Sequence, residues 1–169
     1  MLPDVPPPIP PPPLRCTAIP LPPYRYVPGK HPHPLKDPRG HMYAQTRTLE
    51  FQPTSPWHTQ EIWLHALDLF DSRYYWEAHE VLEQMWHGCT SERTGQRCLL
   101  QGLIQAAAFR LKVHQRMERP AKKLLNASLT KLRTAENTLG PMVSGVDITF
   151  LRETLPLVLE DARWPTVCA

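Results

Sequence analysis

The chain has 169 residues, 21 of them proline, and carries 19 Lys and Arg against 16 Asp and Glu, a formal charge of +3. That length fits one domain with an appendage. No apolar run approaches the roughly 20 residues of a membrane span, and so small an excess of charge argues against a dedicated nucleic-acid face.

Proline and charge both divide the chain near residue 56. Residues 1–56 hold 17 of the 21 prolines and carry six basic residues against three acidic ones, whereas residues 57–169 carry thirteen of each. The excess positive charge therefore belongs to the first third. The four cysteines, Cys16, Cys89, Cys98 and Cys168, include no C-x-x-C pair, so a zinc ribbon or a thioredoxin-like motif is absent. Asp4 and prolines occupy the start, where a signal peptide would place basic and then apolar residues. A cytoplasmic protein with reduced thiols is the resulting expectation.

Residues 1–23, MLPDVPPPIPPPPLRCTAIPLPP, cannot form a helix or a central strand, because proline removes backbone donors and fixes φ near −65°. They read as a disordered, polyproline-like tail. Residues 24–54 read as an extended arm packed on the domain, anchored by Tyr24, Tyr26, Val27 and Tyr43. If that arm is extended, His31 and His33 of "HPH" project to one side, and His41 follows eight residues later.

From residue 55 to 169 helical signals take over. Ser55 and Pro56 form a cap and a first helical position, after which Ile62, Trp63, Ala66, Leu69 and Phe70 recur at helical spacing. A second helix is expected from Arg73 to about Trp86, and a long third one from about Glu92 to Arg116 with a stripe of Leu100, Leu103, Ile104, Ala107 and Leu111. Pro120 falls in the first turn of a fourth, which Gly140 and Pro141 end. Asp147 caps a last helix that Pro156 kinks or splits. No alternating strand pattern appears. Short connections favour antiparallel neighbours, so the expected fold is an all-α, up-and-down antiparallel bundle of four to five helices with an extended Pro-rich N-terminal arm.

The densest chemistry is RYYWEAHEVLEQMWHG, residues 73–88. At about 100° per residue, Ala78, Val81, Leu82 and Met85 make a core face. Trp76, His79, Glu80, Glu83 and His87 gather opposite, with Glu77 at the edge and Trp86 flanking. Three kinds of chemistry compete there. H-E-x-x-E neighbours the zincin motif, with His79 and Glu83 as ligands, Glu80 as base, and His31, His33 or His41 completing a zinc, iron or manganese site. A His/Glu stripe between Trp76 and Trp86 also suits a small ligand. Structurally, Arg97, Gln101 and Gln105 on the next helix can satisfy Glu80, Glu83 and His79, since buried carboxylates need such partners.

YYWEAHEVLEQMW followed by LLQGLIQAAAFRLKVH resembles the domain of unknown function 309, whose pattern is matched by Tyr75, Glu77, Ala78, His79, Glu80, Leu82, Glu83 and Trp86, then by Leu99, Gln101, Gly102, Leu103, Ile104 and Gln105. The resemblance covers about residues 65–135. It implies an all-α bundle and no established activity, and QRMERPAKK departs from the Gly-Asn common after the Gln-rich helix. The expectation is therefore a non-catalytic module without cofactor, binding a partner protein or a small ligand through the His79/Glu80/Glu83 stripe. A metal-binding protein or metal-dependent hydrolase at those residues is the alternative.

Overall fold

The computed structural model describes residues 13–45 and 49–159. Five α-helices follow in order: α1, Glu61–Asp71; α2, Tyr75–Gly88; α3, Thr94–His114; α4, Glu118–Leu139; and α5, Ile148–Thr154. Each packs on the next, most extensively α3 on α4. The all-α bundle is thus the one the periodicity predicts.

The expected apolar stripes form the core. Ile62, Trp63, Ala66, Leu69 and Phe70 of α1 are buried, as are Ala78, Leu82 and Met85 of α2. Helix α3 is wedged between α2 and α4 and buries residues on several faces, including Leu99, Leu100, Leu103, Ala106, Ala107 and Phe109. The α3–α4 seam is narrow for a local reason. A Cβ on Gly95 would fall 2.8 Å from the Leu139 side chain, and one on Gly102 would fall 2.7 Å from that of Leu132. The Ser128 hydroxyl, fully buried, donates to the Gly102 carbonyl at 2.7 Å.

Three boundaries differ from the sequence expectation. Pro56 does not open α1: residues Trp57–Thr59 form a separate 3₁₀ turn, and the Gln60 side chain folds back to bond Gln52 and Ser55. Helix α1 then starts at Glu61. Helix α2 begins at Tyr75 because Arg73 adopts a left-handed φ of 68°. Its N–H bonds Phe70 O and the Tyr74 N–H bonds Leu69 O, the paired bonds of a Schellman ending in which glycine is the usual residue. Finally, a hairpin of two-residue strands, Met142–Val143 and Val146–Asp147, follows α4. Ser144 and Gly145, both at positive φ, turn it as a type I′ turn does, and Trp63 Nε1 donates to Ser144 O at 2.8 Å. Strands this short leave no alternation to detect.

Asp147 caps α5 as expected, accepting from the Phe150 N–H at 2.8 Å. The helix stops at Thr154, and a 3₁₀ turn, Pro156–Leu159, follows.

The proline-rich chain lies against α1 and α2. Docking starts inside the stretch expected to be a free tail: Asp68 of α1 accepts from Cys16 N at 2.6 Å, Thr17 N at 2.9 Å and Thr17 Oγ1 at 2.7 Å. Residues 1–12 of that stretch lie outside the described residues. Downstream, the Tyr74 hydroxyl donates to Pro22 O. Asp68→Ala deprives three donors of their acceptor at once. We expect a loss of about 1–3 kcal/mol and faster tryptic cleavage at Arg15, read by mass spectrometry of timed digests. Unchanged cleavage would show that Asp68 does not hold this segment.

Candidate functional site

Glu77, not Glu80 or Glu83, is the buried acid of α2. Only 3% of it is exposed. It lies one turn before Val81 on the flank that the arm covers. Its Oε1 accepts from the Tyr26 N–H at 3.0 Å and meets His41 Nε2 at 2.9 Å, with His41 itself buried at its side chain. Burial pushes the Glu77 carboxyl above its ordinary range, against the opposing pull of its hydrogen bonds and of His41. Its second oxygen has no hydrogen-bond partner among the described residues.

Around this pair the arm's rings interlock with α2. Tyr26 and His33 both stand edge-on to Trp76, with centroids 5.2 and 5.5 Å from it. Tyr24 stacks on His31 at 5.5 Å and meets His41 edge-on at 4.6 Å. His31 and His33 therefore face different partners and do not project together. The arm turns instead of extending: Lys30 N bonds Val27 O and Asp37 N bonds His33 O. Tyr26 is buried and Tyr24 and Val27 are half-buried, while Tyr43 is 46% exposed and anchors little.

His79, Glu80 and Glu83 form a separate cluster on the open side of α2. His79 Nδ1 is 3.3 Å from Glu80 Oε1 and 4.0 Å from Glu83 Oε2. One potential ligand atom from each lies within 4.8 Å of the others. His31, His33 and His41 do not join them; these rings are held by Tyr24, by Trp76 and by Glu77.

Nor does α3 supply the partners the stripe was expected to find. Among the described residues, no hydrogen bond or ion pair joins Arg97, Gln101 or Gln105 to Glu80, Glu83 or His79. Arg97 donates to the Trp86 carbonyl at 3.1 Å and to that of Cys89, and its guanidinium lies 4.1 Å from the Trp86 ring centroid. It thus adds a donor to the Trp86 carbonyl, which also accepts from the Cys89 N–H at 3.3 Å, and satisfies that of Cys89 just past the end of α2. Gln105 Oε1 and Trp86 Nε1 are buried without hydrogen-bond partners among the described residues.

Residues 63–124 match the family model described as domain of unknown function (DUF309). That stretch of the chain is similar to the family. The match runs from the second residue of the α1 core through α2 and α3 into the first turns of α4, so it holds both sequence blocks and the Glu77 and His79/Glu80/Glu83 groups; the arm precedes it. No curated protein and no solved structure matches the chain. Among the described residues, no helix is long and apolar enough to cross a membrane.

Two buried charged residues of the matched stretch are absent from the sequence-based expectations. For Asp68, an acid amid Leu67, Leu69 and Phe70 was the available signal. Arg110 of α3 is fully buried, its guanidinium carbon 5.9 Å from the Tyr75 ring centroid. Burial pulls its pKa down to about 10. A basic residue inside the Ala- and Leu-rich run of α3 was the sign to follow.

Proposed function

We propose that this protein is a non-catalytic helical module that binds a protein partner through the His79/Glu80/Glu83 stripe, and that the partner presents arginine or lysine there. The observation that carries this is the diversion of Arg97. With its guanidinium committed to the Trp86 and Cys89 carbonyls, the two glutamates have, among the described residues, only His79 as an ion-pair neighbour. They are only partly shielded, their side chains 32% and 46% exposed. Such a pair attracts a complementary cation at little cost in desolvation. The arm packs on Trp76 and Glu77 in the first turn of α2 and leaves the cluster beyond them part-exposed.

A second reading has one observation in its favour: the 4.8 Å grouping of the three ligand atoms suits a divalent cation. Because the arm imidazoles are engaged elsewhere, such a site draws only on His79, Glu80 and Glu83 within α2, and a hydrolase completed by the arm loses its source of further ligands.

Calorimetric titration of the tag-free protein with an arginine-rich peptide, and separately with zinc and manganese, tests both. A salt-sensitive peptide affinity that falls roughly tenfold in Glu80→Gln/Glu83→Gln is expected. No binding to the unaltered protein rejects the proposal. Retention of less than about a tenth of an equivalent of metal after buffer exchange ends the second reading.

A further inference from the structure

A cleft of about 530 Å³ opens where the arm passes the start of α2 and the end of α3, walled by Tyr24, Arg25, Lys30, His31, Tyr74 and His114. We infer that this cleft binds an organic phosphate, a phosphate monoester whose organic part includes a flat ring. It is distinct from the stripe on α2, and opposite to it in charge.

The shape follows from the arm's turn. Pro28 and Gly29, the glycine at φ 80°, make the reversal that a Pro-Gly pair favours, closed by Lys30 N to Val27 O at 3.0 Å. This folds Lys30 and His31 back beside Tyr24. The Val27 N–H donates to His31 Nδ1 at 3.3 Å, which leaves Nε2 as the proton-bearing nitrogen. Arg25 lies 5.4 Å over the Tyr74 ring centroid, an arrangement that holds its guanidinium at the wall.

The polar groups of the lining side chains are therefore mainly donors, and no carboxylate is among them. Among the described residues, neither Arg25 nor Lys30 belongs to an ion pair. His114 reports the same field: burial, and then the charges of Arg110, Arg73, Arg25 and Lys30, hold its pKa below the usual value. Two full cations and an imidazole N–H suit a dianion better than a carboxylate. The rings of Tyr24 and Tyr74 offer flat apolar walls, and the volume lies within the roughly 300–1,000 Å³ of small-ligand pockets.

Beyond the cleft the arm adds Lys36 and Arg39, and Arg39 is bonded through Nε and Nη2 to both oxygens of Asp37, so little free charge continues along it for a nucleic-acid strand.

Adenosine monophosphate, inorganic phosphate and adenosine serve as probes in calorimetric titrations of the full chain at low salt. The monophosphate should bind, with each fragment at least roughly tenfold weaker, because it combines the charge-assisted and ring contacts. Arg25→Ala/Lys30→Ala should lose roughly tenfold or more for the monophosphate while melting with the unaltered protein, since both side chains are exposed. Should the double variant fail to fold, Lys30→Glu alone must give the same loss. Absence of binding at millimolar monophosphate, equal binding by protein and variant, or a short single-stranded RNA held far more tightly than the monophosphate would each overturn the assignment.

Discussion

Gly102→Ala is expected to destabilise the protein by about 2 kcal/mol, although alanine is the better helix former by nearly 1 kcal/mol. The added Cβ would stand 2.7 and 2.8 Å from Leu132 Cδ2 and Cγ, and 3.2 Å from the Leu132 backbone nitrogen. A rotamer change can move Cδ2 and Cγ only by repacking a buried leucine, and the backbone nitrogen moves only with α4. The seam must widen, and Ser128 then loses its 2.7 Å bond to the Gly102 carbonyl. Leu132, fully buried, should itself cost about 2–5 kcal/mol when cut to alanine, through lost burial and the cavity left behind. Combining the two changes places the new methyl in the space that Leu132 vacates. The double variant should therefore be more stable than the sum of the single losses by about 0.5–3 kcal/mol, measured by urea denaturation. Strict additivity would show that the two residues do not share that space.

The second large effect lies at Glu77. Glu77→Ala removes the acceptor of the Tyr26 N–H and of His41 together, and such buried breaks cost about 3–5 kcal/mol when nothing relieves them. Here relief exists, because the arm can lift and return both groups to water. The loss should stop near what arm docking contributes, about 2–3 kcal/mol, and hydrogen exchange should become fast at residues 24–43 while α3 stays protected. Glu77→Gln keeps an acceptor oxygen and should lose far less. The two also separate by pH. Burial raises the Glu77 pKa above the ordinary 4.5, so the folded state holds this proton more tightly than the unfolded chain. The stability that comes from this is fully present below about pH 4.5 and is lost as pH rises through the raised value. Relative to Glu77→Gln, the unaltered protein should therefore weaken as pH rises from 4.5. Parallel urea midpoints for the two proteins from pH 4.5 to 7.5 would contradict this.

The helices were legible because burial imposes a 3.6-residue period on them, and that period survives in Ile62, Trp63, Ala66, Leu69 and Phe70 whatever their partners. The arm has no such period. Its conformation is set by contacts with residues 36 to 52 positions away, Glu77, Asp68 and Tyr74, and a local pattern carries no trace of them. The polar face of α2 was read as one stripe for the same reason. Helical geometry places Glu77 at its margin, but only the arm decides that Glu77 is buried while Glu80 and Glu83 stay half-open. Arg97 was on the correct stripe of α3 and within reach of α2. It bonds the carbonyls at the end of that helix, which side-chain spacing does not register.

The docking of the arm also orders events in time. Residues 15–41 are synthesised before Asp68, Tyr74 and Glu77, and their partners are complete only when α1 and α2 have packed. Forming contacts of such sequence separation closes long loops, which is slow compared with pairing neighbouring helices. The prolines hold this stretch extended and free of competing helix in the interval. The part of the chain made early is thus among the last to reach its native place, and synthesis and folding run in opposite directions along it.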